Sequence, residues 1–340
     1  MATESSQALQ ERLQRYLVGV FTNPVTVSGL ERMAGGVSRE TWSFDLIEQR
    51  GRRRVRHELV LRMDPEQPYL PGHRDTEFRV IRLVAARGIP VPEVLWGSED
   101  KAILGRSFFV MRRVAGESRV NRLQNEARYA ATKAKIVAEL GEELARTHQI
   151  PAEEITAEIP ELLQLPPRDA VRYQEQLYRE WTRDPHPVLE LALRWLHANA
   201  PPAQSLVLVH GDFRLGNMIF DESGLRAILD WEIACLGDPM DDVAWMALRS
   251  WRGGQDHLPI GGVGTREAFH AAYQRAGGRK IEREAMVFWD IFVHLRWAVV
   301  TVMEVGGFLA GQHNIELASL GRRTAEIEWD LLNLLEQAGA

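Results

Sequence analysis

Residues 205–230, SLVLVHGDFRLGNMIFDESGLRAILD, set a short apolar run, a polar loop and a tight turn in immediate succession. Leu206-Val207-Leu208-Val209 is apolar and partly β-branched and stops abruptly at His210-Gly211-Asp212, the pattern of a buried strand that delivers a loop. Asp212 lies on that loop and Asn217 follows five residues later. Met218-Ile219-Phe220, the turn Asp221-Glu222-Ser223-Gly224 and Leu225-Arg226-Ala227-Ile228-Leu229 then predict a hairpin that ends at Asp230. A hairpin returns its end beside its start. Asn217 and Asp230 can therefore face one another across the two strands and offer a neutral and an anionic oxygen to a hard cation such as Mg²⁺. Asp212, just upstream, is left to act as a base, and three such groups at these spacings suit phosphoryl transfer.

The ordered set His210-Gly211-Asp212-Phe213-Arg214-Leu215-Gly216-Asn217, Ile228-Leu229-Asp230-Trp231-Glu232 and Gly237-Asp238-Pro239 resembles the aminoglycoside phosphotransferase (APH) family of the protein-kinase-like superfamily. The kinase catalytic loop shares the skeleton of a base Asp, a basic residue two on and a metal Asn five on. The resemblance implies that Asp212 accepts or orients the proton of an acceptor hydroxyl and that Arg214 neutralises the transferring phosphoryl group. It also implies that Asn217 and Asp230 hold Mg²⁺. His210 is expected to brace the loop. Asp242 matches the last acid of the family's GDPxxD pattern and is expected to brace it too. In appearance the chain is nearest the subgroup fused to acyl-CoA dehydrogenases, which implies a hydroxyacyl-type acceptor.

At 340 residues and 45% hydrophobic, the chain is long enough for two core-bearing units. A net charge of −6 argues against non-specific nucleic-acid binding, and the basic run Arg50 to His57 lies between two strand-like segments as a solvated hairpin tip. The single cysteine, Cys235, excludes internal disulfides and CxxC metal sites and suits a reducing cytoplasm, with the thiol in the core. The N-terminal residues have neither a basic nor an apolar leader region, and the apolar run from Trp297 to Met303 is cut by Glu304. The expectation is a soluble, unanchored protein.

Leu9, Leu13, Tyr16, Leu17 and Val20 predict an amphipathic helix capping the first lobe. A meander follows, with a paired glycine, Gly35-Gly36, between alternating stretches, and a strand from Glu58 to Met63 carries Arg62. Taken alone the glycines mark an ordinary hairpin. Their order before a cation-bearing strand and a glutamate-bearing helix, Thr76 to Ala86, matches the way kinase-like lobes cover ATP phosphates. Glu77 is then the candidate partner of Arg62, or else a first-turn acid that favours the helix dipole. Arginine stands where the protein-kinase pattern has lysine, so the nucleotide geometry differs from that pattern. The strand from Arg106 to Val114 ends at a lobe boundary near residue 115, and the resemblance makes the backbone of Arg112, Arg113 and Val114 the adenine contact.

Beyond that boundary, Ala131 to His148 reads as a helix whose terminal His148 favours the dipole or caps the end. The proline-rich acidic span 151–167 reads as a solvated insertion, and the aromatics of the last two helical segments, Trp329 among them, read as core. Asp238 is placed as a helix N-cap with Pro239 in the first turn. Only a few residues separate Asp230 from that helix, which favours a small-molecule acceptor over a protein docked on a long segment.

The expected architecture is α+β: a protein-kinase-like two-lobe fold, with a nucleotide-binding lobe over 1–114 formed by a small antiparallel sheet and one main helix, and a mostly helical catalytic lobe over 115–340. The expected activity is transfer of the γ-phosphoryl group of ATP, or of GTP in its place, with Mg²⁺, to a hydroxyl on a small molecule. A nucleotide-binding scaffold without turnover and a metal-dependent phosphate-ester hydrolase are the alternatives. Neither a nucleic acid nor a membrane is an expected partner.

Overall fold

Alternation along Phe44, Leu46 and Leu59, Leu61, Met63 gives one sheet two differently used faces. The computed structural model describes residues 6–33, 40–64, 74–311 and 315–340. The chain divides into two compact units, Met1–Ala115 and Gly116–Ala340. The first unit runs α1 (Ser6–Val20), β1 (Val25–Arg32), β2 (Glu40–Arg50), β3 (Arg53–Met63), α2 (Arg74–Ala86), β4 (Val94–Ser98), α3 (Lys101–Leu104) and β5 (Phe108–Arg112). Its strands form an antiparallel sheet in the order β1-β2-β3-β5-β4.

Leu59, Leu61, Met63, Phe108 and Val110 share one core with Leu9, Leu13 and Leu17 of α1. The helix is also tied to the edge strand by Gln14, whose amide donates to Val25 O (2.7 Å) and accepts from Val27 N (2.6 Å), so part of the open edge is satisfied by a side chain. Val60, Arg62 and Phe109 belong by alternation to the other face, where Phe78 of α2 meets Phe109 edge-on with centroids 6.0 Å apart. The basic run is placed at the β2–β3 turn, and Arg52, Arg53 and Arg54 are exposed. β3 begins within that run, five residues before the strand read from the sequence.

The second unit contains α4 (Val120–Asn125), α5 (Ala130–His148), α6 (Ala152–Glu158), β6 (Gln164–Leu165), α7 (Pro167–Trp181), α8 (Pro187–Asn199), β7 (Val207–Val209), β8 (Met218–Asp221), β9 (Gly224–Ile228), β10 (Cys235–Gly237), α9 (Met240–Trp245), α10 (Arg266–Arg275), α11 (Arg283–Leu309), α12 (Ile315–Leu320) and α13 (Thr324–Gln337). β10 lies between β7, antiparallel, and β6, parallel, while β8 and β9 pair as a separate hairpin. α5 and α10 approach closely at Gly141, where an added Cβ would lie 2.8 Å from Phe269 O and 2.9 Å from Tyr273 N. α11 is long and apolar enough to cross a membrane by length and composition, and 78% of its most apolar window is buried, the packing of a core helix.

Two expectations are corrected in this unit. The span 151–167 is not a solvated insertion: Ile155, Ile159 and Leu162 are buried, and β6 adds a strand to the sheet that carries β7. The prolines and glutamates that suggested a loop hide an i, i+4 apolar pair, Ile155 and Ile159, that is fully buried. Trp329 is not core either, at 62% exposure, because α13 turns Ile327, Leu331 and Leu335 inward and leaves Trp329 on its outer side.

Candidate active site

The loop that begins at His210 is held by one carboxylate. Asp242, on α9 and fully buried, accepts from the backbone N–H of His210 on Oδ2 (2.7 Å) and of Gly211 on Oδ1 (2.9 Å). His148 adds a third contact, with Nε2 3.2 Å from Asp242 Oδ2 and Nδ1 2.9 Å from the Tyr273 hydroxyl. Burial alone would raise the Asp242 carboxyl. The hydrogen bond and charge of His148, with His210 nearby, outweigh it and hold the group below the ordinary carboxylate range. Burial pushes the Tyr273 hydroxyl well above its ordinary value, so it stays protonated. His148 is therefore a buried brace of the loop, not a dipole partner at a helix end. Only the fold brings α5 and α9 together and makes that role visible.

Gly211 sits at φ 83°, and a Cβ there would meet Ile233 O at 2.8 Å, so the loop's turn at this position requires glycine. His210 fastens the next step. Its Nδ1 accepts from Asp212 N (3.1 Å), which leaves Nε2 as the protonated nitrogen donating to Leu229 O (2.9 Å). The expected bracing roles of His210 and Asp242 both correspond to hydrogen bonds. Asp238 accepts from Met240 N (2.9 Å), but the helix starts at Met240 with Pro239 in the N-cap position, one residue later than the sequence placed the cap.

Asp212 carries three side-chain donors. Arg214 Nε (2.9 Å) and Trp245 Nε1 (2.7 Å) both reach Oδ1, and Asn217 Nδ2 (2.5 Å) reaches Oδ2. The Arg214 guanidinium lies 4.7 Å from the Trp251 ring centre, and its Nη1 and Nη2 have no hydrogen-bond partner among the described residues. Asn217 spends its Nδ2 on Asp212, so its Oδ1 is the end that can meet a cation. Leu229 N donates to Asn217 O (2.8 Å), which closes the hairpin one residue before Asp230. Among the described residues Asp230 alone, glycine aside, has a left-handed backbone, φ 68°. A left-handed aspartate at the end of the hairpin is local backbone strain of the kind that accompanies functional sites. An amide oxygen and a carboxylate are the donor types that Mg²⁺ prefers.

In the first unit Arg62 and Glu77 pair at 3.0 Å, with side chains 11% and 0% exposed, so Glu77 is not a solvated first-turn acid. Arg112 and Arg113 turn their side chains outward onto Glu93 and Glu58. Their backbone N–H groups donate to Glu93 O and Glu58 O, and the Val114 N–H has no hydrogen-bond partner among the described residues. Gly35 and Gly36 lie outside the described residues.

Sequence reading missed Trp245, Trp251 and Arg296, and it gave His148 a helix-end role in place of its contact with Asp242. Trp245 had a local signal, since it lies three residues after Asp242 and shares its helix face. Arg296, on α11, gave none. It is buried, donates to Gly211 O (2.9 Å), pairs with Asp241 (2.8 Å) and stacks 3.9 Å from the Trp245 ring centre. Asp241 is itself buried, and burial pushes its carboxyl up to about 7 against the opposing charge of Arg296. Burial likewise raises the Cys235 thiol far above its ordinary value and keeps it inert.

A profile of the phosphotransferase enzyme family, APH, matches residues 30–289. The chain belongs to that family. Relatives include acyl-CoA dehydrogenase family member 10 of Mus musculus, 31% identical over 70% of this chain, and family member 11 of Gallus gallus, 29% identical over 70%. The matches span only 22% and 30% of those two proteins. A Ralstonia eutropha protein assigned to the aminoglycoside phosphotransferases superposes with a TM-score of 0.72 at 23% identity, over 94% of this chain and 97% of its own. A thermostable aminoglycoside phosphotransferase mutant solved with ADP and hygromycin B gives 0.59 at 19% identity over 93% and 97%, and the Plasmodium vivax ethanolamine kinase 0.64 at 12% over 96% and 89%. These identities speak for the fold, which is the α+β two-lobe fold of the APH and kinase-like enzymes. It carries the APH family's HGDxxxxN loop, residues 210–217, intact.

Proposed function

We propose that this member is an ATP-dependent phosphotransferase acting on an alcohol group of a small molecule, with Asp212 as the base. The observation that carries the reading is the fixed carboxylate of Asp212, with Arg214 and Asn217 donating to it and Asp230 at the neighbouring hairpin end. Asn217 Oδ1 and the Asp230 carboxylate would hold Mg²⁺, which when bound offsets the charge of the nucleotide phosphates. The rest is positioning. The acceptor O–H gives its proton to Asp212 as its oxygen bonds to the γ-phosphorus, the bond to the ADP oxygen breaks, and ADP departs. Nη1 and Nη2 of Arg214, which have no hydrogen-bond partner among the described residues, are donors for the oxygens of the group in flight. Arg62, with Glu77 as its counter-ion, and the backbone at Val114 are the nucleotide contacts of this reading; GTP is the alternative donor, since a solved family structure is a GDP and kanamycin complex.

The charges next to Asp212 are mixed, with Arg214 and the Asp241-paired Arg296 set against the Asp242 carboxylate that holds the loop, and they do not select an acceptor. A hydroxyl on an acyl chain is the acceptor class to test first, in keeping with the dehydrogenase names of the relatives. A cytoplasmic location is part of the same reading. An ATP-consumption screen with Mg²⁺ across hydroxyacyl thioesters, amino alcohols, sugars and aminoglycosides tests it. Turnover with one class and none with D212N is the expected result, and ATP consumption by D212N at the wild-type rate would remove Asp212 from its role.

A further inference from the structure

Asp212 is more heavily held than its motif accounts for. A carboxylate has about four lone-pair positions. Two on Oδ1 are taken, by Arg214 Nε and Trp245 Nε1, and one on Oδ2 by Asn217 Nδ2. One position on Oδ2 is left without a donor among the described residues. Arg214 and Asn217 belong to the loop itself, whereas Trp245 comes from α9.

The indole is in turn held from a third element. Arg296 of α11 stacks on the Trp245 ring at 3.9 Å, closer than any other cation–aromatic contact among the described residues. Its guanidinium is fixed at both ends, donating from Nη1 to Asp241 Oδ2 (3.0 Å) and from Nη2 to Gly211 O (2.9 Å), the peptide oxygen immediately before Asp212. Arg296 and Trp245 are both nearly buried, at 8% and 3% exposure, so the stack is made in low dielectric. A cation on the face of an indole draws electron density from the ring and makes its N–H a better donor.

We propose that Trp245 and Arg296 are positioning residues for Asp212: Arg296 fixes and polarises the indole, and the indole N–H locks Oδ1, so that Oδ2 is the oxygen presented to the acceptor hydroxyl. The proposal rests on the phosphotransferase reading for its function but not for its geometry. It also accounts for a buried guanidinium spanning the loop and α9, where an aliphatic side chain would fill the same space.

Two measurements test it. Trp245→Phe keeps the ring for Arg296 and removes the N–H. With Mg²⁺ and ATP, and water as acceptor, the variant should keep the KM for ATP and the nucleotide-induced thermal shift within about twofold of wild type and lose about tenfold in kcat. Arg296→Met should lose kcat likewise, with Arg296→Lys in between. A defect that merely loosened the fold would move KM and the thermal shift together with kcat. The second measurement needs no turnover. The Trp245 indole ¹H–¹⁵N resonance, assigned as the one missing in Trp245→Phe, should move on Asp212→Asn and on Arg296→Met. An indole resonance that ignores Asp212→Asn, or wild-type kcat in Trp245→Phe, would overturn the proposal. A wild type that consumes no ATP would instead refute the phosphotransferase reading, and the indole resonance would still decide whether Trp245 holds Asp212.

Discussion

Replacing Asp242 by Asn changes one oxygen to NH₂ at constant volume, in a pocket where three donors already converge on the carboxylate. It accepts from His210 N at 2.7 Å, Gly211 N at 2.9 Å and His148 Nε2 at 3.2 Å. The amide has one oxygen. If it stays with His210 and His148, the new NH₂ faces the Gly211 N–H; if it turns to Gly211, the NH₂ faces His210 N–H. Either way a buried backbone donor meets a donor. Hydrogen bonds to a charged group contribute about 1.5–3 kcal/mol each, and a buried donor left without a partner costs about 1–3 kcal/mol. The variant should therefore be about 3–5 kcal/mol less stable, measured as the loss in ΔG at unchanged m in a urea titration. The difference should also depend on pH. The folded-state value of Asp242 lies below the unfolded one, so its contribution is fully present above about 4, the ordinary range of an aspartate in an unfolded chain. It is lost as pH falls through the lower folded-state value. A change under about 0.5 kcal/mol at neutral pH, the range of an ordinary surface substitution, would refute the claim that Asp242 supports the loop.

Gly216→Ala would place its Cβ 2.2 Å from Arg214 Nη1, the movable end of a side chain, at an exposed position. Stability by denaturation should change by less than about 0.5 kcal/mol while ATP turnover falls, because the guanidinium is pushed off its place. At Asp230, φ 68° reverses the usual order of substitutions: Asp230→Ala should be less stable than Asp230→Gly by about 1 kcal/mol, and equal denaturation midpoints would contradict the strain assigned there. Asp241 titrates near 7 when folded and near 3.8 when unfolded, so the wild type should lose stability as pH rises between those values. Asp241→Asn lacks that slope. Its stability relative to wild type should improve from about pH 5 to about pH 8, and parallel curves would show that Asp241 does not titrate in this window.

The loop from His210 to Asp230 was legible because strand, loop and hairpin are local: alternation, an abrupt polar stop and a two-residue turn specify them without the rest of the chain. The Arg62–Glu77 pair was legible through order along the chain, one cation on a central strand and one acid near the start of the next helix. What stayed hidden acts over long separations. His148 and Arg296 are 94 and 85 residues from the groups they hold; locally the first reads as a helix-end histidine and the second as an ordinary helix residue. The buried apolar pair Ile155 and Ile159 was masked by its own surroundings, since prolines and glutamates outvote two isoleucines in a short window. Trp329 failed for the opposite reason, because aromatic size alone does not say which side of a helix faces inward.

The most direct test is Mg²⁺-dependent ATP consumption by the wild type and Asp212→Asn side by side, with nucleotide binding followed in the same samples by thermal shift. The account predicts turnover in the wild type only, with the Mg²⁺–ATP thermal shift kept in both proteins. A wild type that neither binds Mg²⁺–ATP nor consumes it, or a variant that consumes it as fast, would contradict the account.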